Sequence, residues 1–258
     1  MSLAIKFIPT EEGPITSYTM APDPRVANDE GVLCISSGPW DIMRLSWLQR
    51  QILTQLCEHG YQATRFDFCG TGESQEPTEA ANCERWLRES IAMRDSLRKS
   101  VRKVHVIGFR LGAALALKAS ETYAFRSIHL IDPVLHGSTY WTEIMQLQQA
   151  FIASQNRYGV GVDAPSEVFG YPLGQSWQKA FEALDLRQYE GKGRRVYVYS
   201  SQAQPELEAF QSCLKDKSWD LKIIPVSDDF AWLNPLKLHM QCFARDTLRA
   251  MIQQFTEL

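Results

Sequence analysis

Residues 103–121, KVHVIGFRLGAALALKASE, join an apolar β-branched run to an alanine-rich one through Gly108-Phe109-Arg110-Leu111-Gly112. The first half reads as a buried strand and the second as a helix, and the two glycines permit a turn tight enough to thrust Arg110 outward. Outward from this unit the alternation repeats. Upstream, GVLCISSG (31–38) is a short buried strand ending in small polar residues. RLSWLQRQILTQLCEHGY (44–61) carries Leu45, Leu48, Ile52, Leu53 and Leu56 at helical spacing, with Gly60 as its stop. QATRFDF (62–68) is the next strand, and a polar helix runs from about Cys83 to Ser100. Downstream, RSIHLIDPV (126–134) is another strand, after which the rhythm breaks. Residues 135–193 hold no convincing strand, only an amphipathic segment around Tyr140 to Tyr158, the glycine-rich GVGVDAPSEVFGYPLG, and a helix through Trp177 to Leu186. The sheet resumes with RRVYVYSS (194–201) and DLKIIPVS (220–227), and a last helix covers about Leu236 to Phe255.

Strands alternating with helices predict an α/β fold, a mostly parallel central sheet with helices on both faces. The expected organisation is a single domain. Residues 1–134 and 194–258 form the core, and 135–193 a helical cap insertion over the carboxyl ends of the strands, where ligands bind.

The composition excludes several function classes. The 258 residues carry 27 Lys+Arg against 30 Asp+Glu, a net charge of -3, which gives no basic field for nucleic acid. No run reaches the roughly 18 apolar residues of a membrane span, and MSLAIKFIPTEEGP lacks the apolar centre of a signal peptide, so the expected location is cytoplasmic. The six cysteines (Cys34, Cys57, Cys69, Cys83, Cys213, Cys242) include no C-x-x-C pair, which predicts reduced, mostly buried thiols and neither a metal site nor a disulfide framework. No cofactor is implied.

Gly108 to Gly112 has the frame of the nucleophile elbow G-x-S-x-G. HGYQATRFDFCGTGES (59–74) closes with Asp67, Gly70, Gly72 and Ser74 in a D-x-x-G-x-G-x-S pattern. With the order of strands over most of residues 30–258, these features resemble the α/β-hydrolase fold. That resemblance implies a catalytic serine at the elbow tip, an acid just past the seventh strand and a histidine after the last. The chain departs from all three. Arg110 is a permanently protonated guanidinium with no lone pair for attack. The second loop reads Ser200, Ser201, Gln202, Ala203, Gln204, with no carboxylate before Glu206, and the third offers Ser227, Asp228, Asp229 and Phe230. At the oxyanion loop, where many members carry His-Gly, stands Ser36-Ser37-Gly38-Pro39, in which Pro39 has no N–H. The elbow G-x-R-L-G, IDPVLHGSTYWTEI (131–144) and GYPLGQSWQKAFEALDL (170–186) are also similar to exosortase-associated hydrolases of the second type, bacterial proteins linked with exopolysaccharide export.

An arginine at the first turn of a helix adds to the positive end of the peptide dipole, so an anion should compensate it. Within the chain the candidates are Asp228, Asp229 and Asp132; outside it, a carboxylate, phosphate or sulfate of a ligand. The ligand-binding set read from the sequence is Ser37, Gly38, Arg110, Leu111, Asp132 and His136. His59 reads as a helix-terminal residue, His105 and His129 as sheet residues, His239 as packing in the last helix, Asp67 as the holder of a glycine turn, and Cys69 as a thiol without a histidine partner. Tyr140, Trp141, Phe151, Tyr158, Phe169, Tyr171 and Trp177 make the insertion an aromatic cover, which packs on the sheet, lines a pocket or meets a protein partner. Three functions remain open. One is a catalytically degenerate binder of a small anionic or acyl ligand, or of a protein partner through the cap. A second is a non-serine enzyme in which Arg110 and the N–H groups of Gly38 and Leu111 hold an oxyanion while Asp228 or Asp229 serves as base. The third is a hydrolase whose nucleophile has moved to Ser36 or Ser37.

Overall fold

A computed structural model describes residues 1–154, 168–173, 175–186, 189, 191, 195–202, 205–215, 219–237 and 240–257. The segment around Gly108 to Gly112 is a strand, β5 (Lys103–Phe109), and a helix, α3 (Leu111–Thr122), joined at Arg110 alone. Around it the chain runs β1 (Ser2–Ile8), β2 (Ile15–Ala21), β3 (Glu30–Ile35), α1 (Ile42–Glu58), β4 (Gln62–Phe66) and α2 (Cys83–Arg98). After α3 come β6 (Ile128–Ile131), α4 (Gly137–Ser154), α5 (Gln175–Glu182), β7 (Arg195–Ser200), α6 (Pro205–Lys215), β8 (Asp220–Pro225) and α7 (Arg245–Thr256).

The eight strands lie in the order β1-β2-β4-β3-β5-β6-β7-β8. β2 is antiparallel to both β1 and β4, and every pair from β4 to β8 is parallel. One face of the sheet is covered by α1 and α7, through Leu45, Leu48, Ile52, Met251 and Phe255. The other face packs on α2, α3 and α6, through Trp86, Met93, Leu115, Phe210 and Leu214. Trp86 anchors that side: it stacks on Phe68 at 4.3 Å and meets Trp177 of α5 edge-on at 4.8 Å. Truncating such a buried ring costs about 3–5 kcal/mol.

Three elements differ from the sequence expectation. The sequence pattern does not disclose the β1–β2 hairpin, because β1 is an edge strand exposed along nearly its whole length, with Leu3, Ile5 and Phe7 turned largely to solvent. α6 between β7 and β8 was also unread. The last helix begins at Arg245, nine residues beyond the expected start, because a carboxylate outside it sets its first turn. Asp228 accepts from Asp246 N at 3.2 Å, Thr247 N at 2.6 Å and Thr247 Oγ1 at 2.7 Å. Tyr158, His239 and most of the glycine-rich stretch lie outside the described residues.

A polar chain crosses the sheet beneath α7. Tyr199 Oη and His129 Nδ1 are 3.0 Å apart, His129 Nε2 and Ser127 Oγ 2.8 Å, Ser127 Oγ and His105 Nδ1 2.6 Å, and His105 Nε2 and Glu30 Oε2 2.8 Å. Both imidazoles are fully buried, and the Phe255 ring stacks on His129 at 4.2 Å. Three of the four links join neighbouring strands and the Ser127–His129 link stays within the β6 segment, so the chain ties β3, β5, β6 and β7 together where apolar side chains alone would leave the register to packing. All six cysteines are free thiols. Among the described residues no helix is long and apolar enough to cross a membrane.

Candidate functional site

Arg110 sits in a conformation that side chains rarely adopt, φ 46° and ψ −112°. Such a residue costs about 1–3 kcal/mol, and here the surroundings enforce it. Its N–H donates to Ile131 O at 3.0 Å, and its carbonyl accepts from Ala113, Ala114 and Val134. A Cβ on Gly108 would come within 2.5 Å of Ala113 Cα, and one on Gly112 would overlap the Ser36 carbonyl oxygen. Both positions therefore need glycine, and α3 packs against the end of β3 because of it. Asp132 (φ 41°), after β6, and Ala231 (φ 48°), after β8, share the left-handed region and flank the same space.

The guanidinium is held by three side chains. Its Nη2 lies 3.1 Å from Glu143 Oε2 on α4, and its carbon lies 5.0 Å from the Tyr140 ring and 5.7 Å from the Trp232 ring. The partner is thus a glutamate outside the expected set. Asp228 is spent on α7, and Asp229, largely exposed, pairs with Lys237 Nζ at 2.9 Å and accepts from Ala231 N at 2.8 Å. Lys237 and that backbone bond hold the Asp229 carboxyl below its ordinary value. Asp132 accepts from Ser201 N at 2.8 Å, Ser201 Oγ at 2.5 Å and Trp232 Nε1 at 2.8 Å. Acid, ring and central side chain therefore stand in line as Asp132, Trp232 and Arg110. The indole gives its only N–H to the acid, so it turns carbon towards the arginine.

Beneath this line lies a second, buried cluster. Ser37 Oγ donates to Asp41 Oδ2 at 2.7 Å, and Arg44 Nη1 is 3.6 Å from Asp41 Oδ1. Burial pushes the Asp41 carboxyl up, against the opposing pull of Ser37, Arg44 and Arg110. Arg44 also donates to the carbonyls of Phe230 and Ala231 and lies 5.5 Å from the Trp232 ring. It pins α1 to the loop after β8. Gly38 O accepts from Asp41 N at 3.0 Å, and a Cβ on Gly38 would press on the Trp40 ring at 2.7 Å. The Leu111 N–H, in the first turn of α3, has no acceptor among the described residues. His136 shares its Nδ1 with Thr139 Oγ1 at 2.9 Å and Ser138 Oγ at 3.2 Å, at the start of α4.

Of the expected set, Arg110 and His136 line one cavity of about 110 Å³, with Tyr140, Glu143, Glu206 and Trp232. Asp132 touches it through Trp232. Ser37 belongs to the buried cluster, and Gly38 contacts that cluster through Asp41 N. Asp228 and Asp229 are engaged elsewhere. The sequence did not single out Glu143, Glu206, Trp232, Asp41 or Arg44. For Glu143 a signal was present, a carboxylate one helical turn beyond Tyr140 on the segment expected to cover the site.

No family model matches the chain, and no curated protein is similar to it in sequence. Solved structures are. Alpha/beta hydrolase domain-containing protein 10 from mouse superimposes with a TM-score of 0.63 at 13% identity, over 98% of this chain and 97% of that one. The proline iminopeptidase-related protein from Thermus thermophilus gives 0.62 at 16%, over 100% and 97%. Est1E from Butyrivibrio proteoclasticus, with ferulic acid bound, gives 0.61 at 14%, over 97% and 99%. The chain has the α/β-hydrolase fold. At these identities the likeness carries the fold alone. Within the α/β-hydrolase sheet, the cavity at Arg110 lies outside the carboxyl ends of β5 and β6, the place where open α/β sheets bind ligands.

Proposed function

We propose that this α/β-hydrolase-fold chain has given up serine hydrolysis and uses the elbow position to bind a small anionic or acyl ligand. The carrying observation is Arg110 itself: a side chain 11% exposed, at the tip of the strand–turn–helix, facing a cavity whose walls include two aromatic rings. Such a site suits an anionic head and an apolar body. The neighbours support a binding role. An indole has no basic nitrogen, Trp232 donates its N–H to Asp132, and His136 turns its Nδ1 to two hydroxyls at the start of α4. Among the described residues no imidazole is hydrogen-bonded at the elbow tip, and the carboxylate next to Arg110, Glu143, is paired with the guanidinium. We read residues 135–193 as the cap, with 1–134 and 194–258 as the core. A protein partner through that cap is the remaining form of the same reading. The stretches similar to exosortase-associated hydrolases of the second type support a place in a bacterial exopolysaccharide-related pathway.

The version with Asp228 or Asp229 as base has no support in their contacts. A displaced nucleophile has one supporting distance, 2.7 Å between Ser37 Oγ and Asp41, but both side chains are buried under Trp40 and Tyr140. A fluorophosphonate probe tests both points. The expected result is no labelling of the native protein, with short carboxylates or phosphate perturbing the NMR signals of Trp232 and Tyr140. Labelling at Ser36 or Ser37, or ester hydrolysis well above background, would overturn the proposal.

A further inference from the structure

Glu143 offers Arg110 one carboxylate oxygen, where a guanidinium presents a two-point fork to a carboxylate. The pair is unequal in setting: Arg110 is 11% exposed and Glu143 33%. Glu143 therefore turns to water at small cost, whereas Arg110 cannot leave the cavity. The walls carry one arginine and two carboxylates, Glu143 and Glu206, so a doubly charged anion meets repulsion from two sides. A singly charged one that displaces Glu143 keeps the balance of charge next to Arg110. The volume of about 110 Å³ equals roughly four water molecules at about 30 Å³ each. Pro133, Val134, Leu135 and Leu233 complete an apolar side.

We infer that the ligand is a small monocarboxylate with a short apolar tail, and that Glu143 holds its place in the unliganded protein as an internal competitor. This rests on the proposal that Arg110 is a binding residue. When the ligand takes the guanidinium in a two-point contact, Glu143 leaves, and the ion pair that ties α4 to the tip of β5 is exchanged for one to the ligand. Occupancy of the site and attachment of α4 are thereby opposed.

The test is a calorimetric and NMR titration of sodium butyrate and of inorganic phosphate into wild-type protein, Glu143→Gln, Arg110→Lys and Arg110→Gln. Each variant is first checked for a native near-UV spectrum, and the pair of Arg110 variants guards against one failing to fold. Butyrate is expected to bind wild type weakly and Glu143→Gln about tenfold more tightly. Both Arg110 variants lose it, Arg110→Lys because a point charge lacks the fork. Amide exchange in α4 should rise on adding butyrate to wild type. Unchanged or weaker butyrate binding in Glu143→Gln, or phosphate preferred over butyrate, overturns the internal-competitor inference while leaving Arg110 as an anion site. If neither anion binds any protein, or both bind the Arg110 variants as well as wild type, the binding proposal falls and this inference with it.

Discussion

Asp132→Ala separates three loops that now share one carboxylate. The Trp232 indole is 4% exposed and has Asp132 as its acceptor, so the substitution leaves a buried N–H unsatisfied, at about 1–3 kcal/mol. The Ser201 N–H and hydroxyl are half-buried and recover part of their bonding from water, losing about 0.5–1.5 kcal/mol each. Alanine tolerates φ 41° less well than aspartate, which adds about 1 kcal/mol. The expected loss is about 4 kcal/mol, a large part of the roughly 5–15 kcal/mol of a typical domain. Asp132→Asn keeps one carbonyl acceptor and accepts the same backbone geometry, so it should lose about half as much. Urea unfolding followed by tryptophan fluorescence and far-UV circular dichroism measures both. Because the largest single share of the penalty is the orphaned indole, adding Trp232→Phe to Asp132→Ala should cost at least 1 kcal/mol less than the two single changes suggest. An Asp132→Ala protein within 1 kcal/mol of wild type, or strict additivity in the double variant, would refute the claim that this carboxylate joins the loops after β6, β7 and β8.

Burial holds His105 and His129 below the ordinary imidazole value of 6.5, with Glu30 opposing the shift at His105. The unfolded chain takes up these protons first, so their contribution is complete above pH 6.5 and is lost progressively as the pH falls below it; urea midpoints at pH 7.5 and 5.5 check this. Burial raises the Glu30 carboxyl, but the bonds from Lys103 and His105 outweigh it and hold the value low, so its share persists to lower pH and goes as the pH falls through that depressed value. Gly112→Ala should give an insoluble or strongly destabilised chain, by about 3 kcal/mol or more, since the Ser36 carbonyl is backbone and cannot yield; a wild-type melting curve would contradict it. Arg110→Ser rebuilds the G-x-S-x-G frame, yet it should remain unlabelled by a fluorophosphonate, because Trp232 supplies no base. Burst labelling would show that a base lies within reach.

The unit from Lys103 to Glu121 was legible because everything that shapes it is local: β-branched residues, two glycines and an alanine-rich run. The parallel sheet followed from repetition of that unit. The arginine's partner was not legible. Glu143 lies 33 residues away on a helix whose rotation over the sheet is decided by Tyr140, Ile144 and Leu147 packing below it. The choice of Asp228 and Asp229 rested on loop position, but Asp228 caps a helix whose start the apolar spacing of residues 236–255 misplaced. Nothing in the sequence around Trp232 points to its role. Only the fold shows that its single N–H meets an acid contributed from 100 residues earlier.

The buried chain from Tyr199 to Glu30 has a direction. Glu30 as a carboxylate only accepts, so His105 must carry its proton on Nε2, and a neutral His105 then accepts from Ser127 at Nδ1. With its one hydrogen spent, Ser127 can only receive from His129 Nε2, which leaves His129 Nδ1 to receive from Tyr199. One charge at the start of β3 thus dictates the tautomer of a ring two strands away. Exchange that carboxylate for an amide able to donate, and all four bonds can reverse together, as a row of compass needles turns when the magnet at its end is flipped.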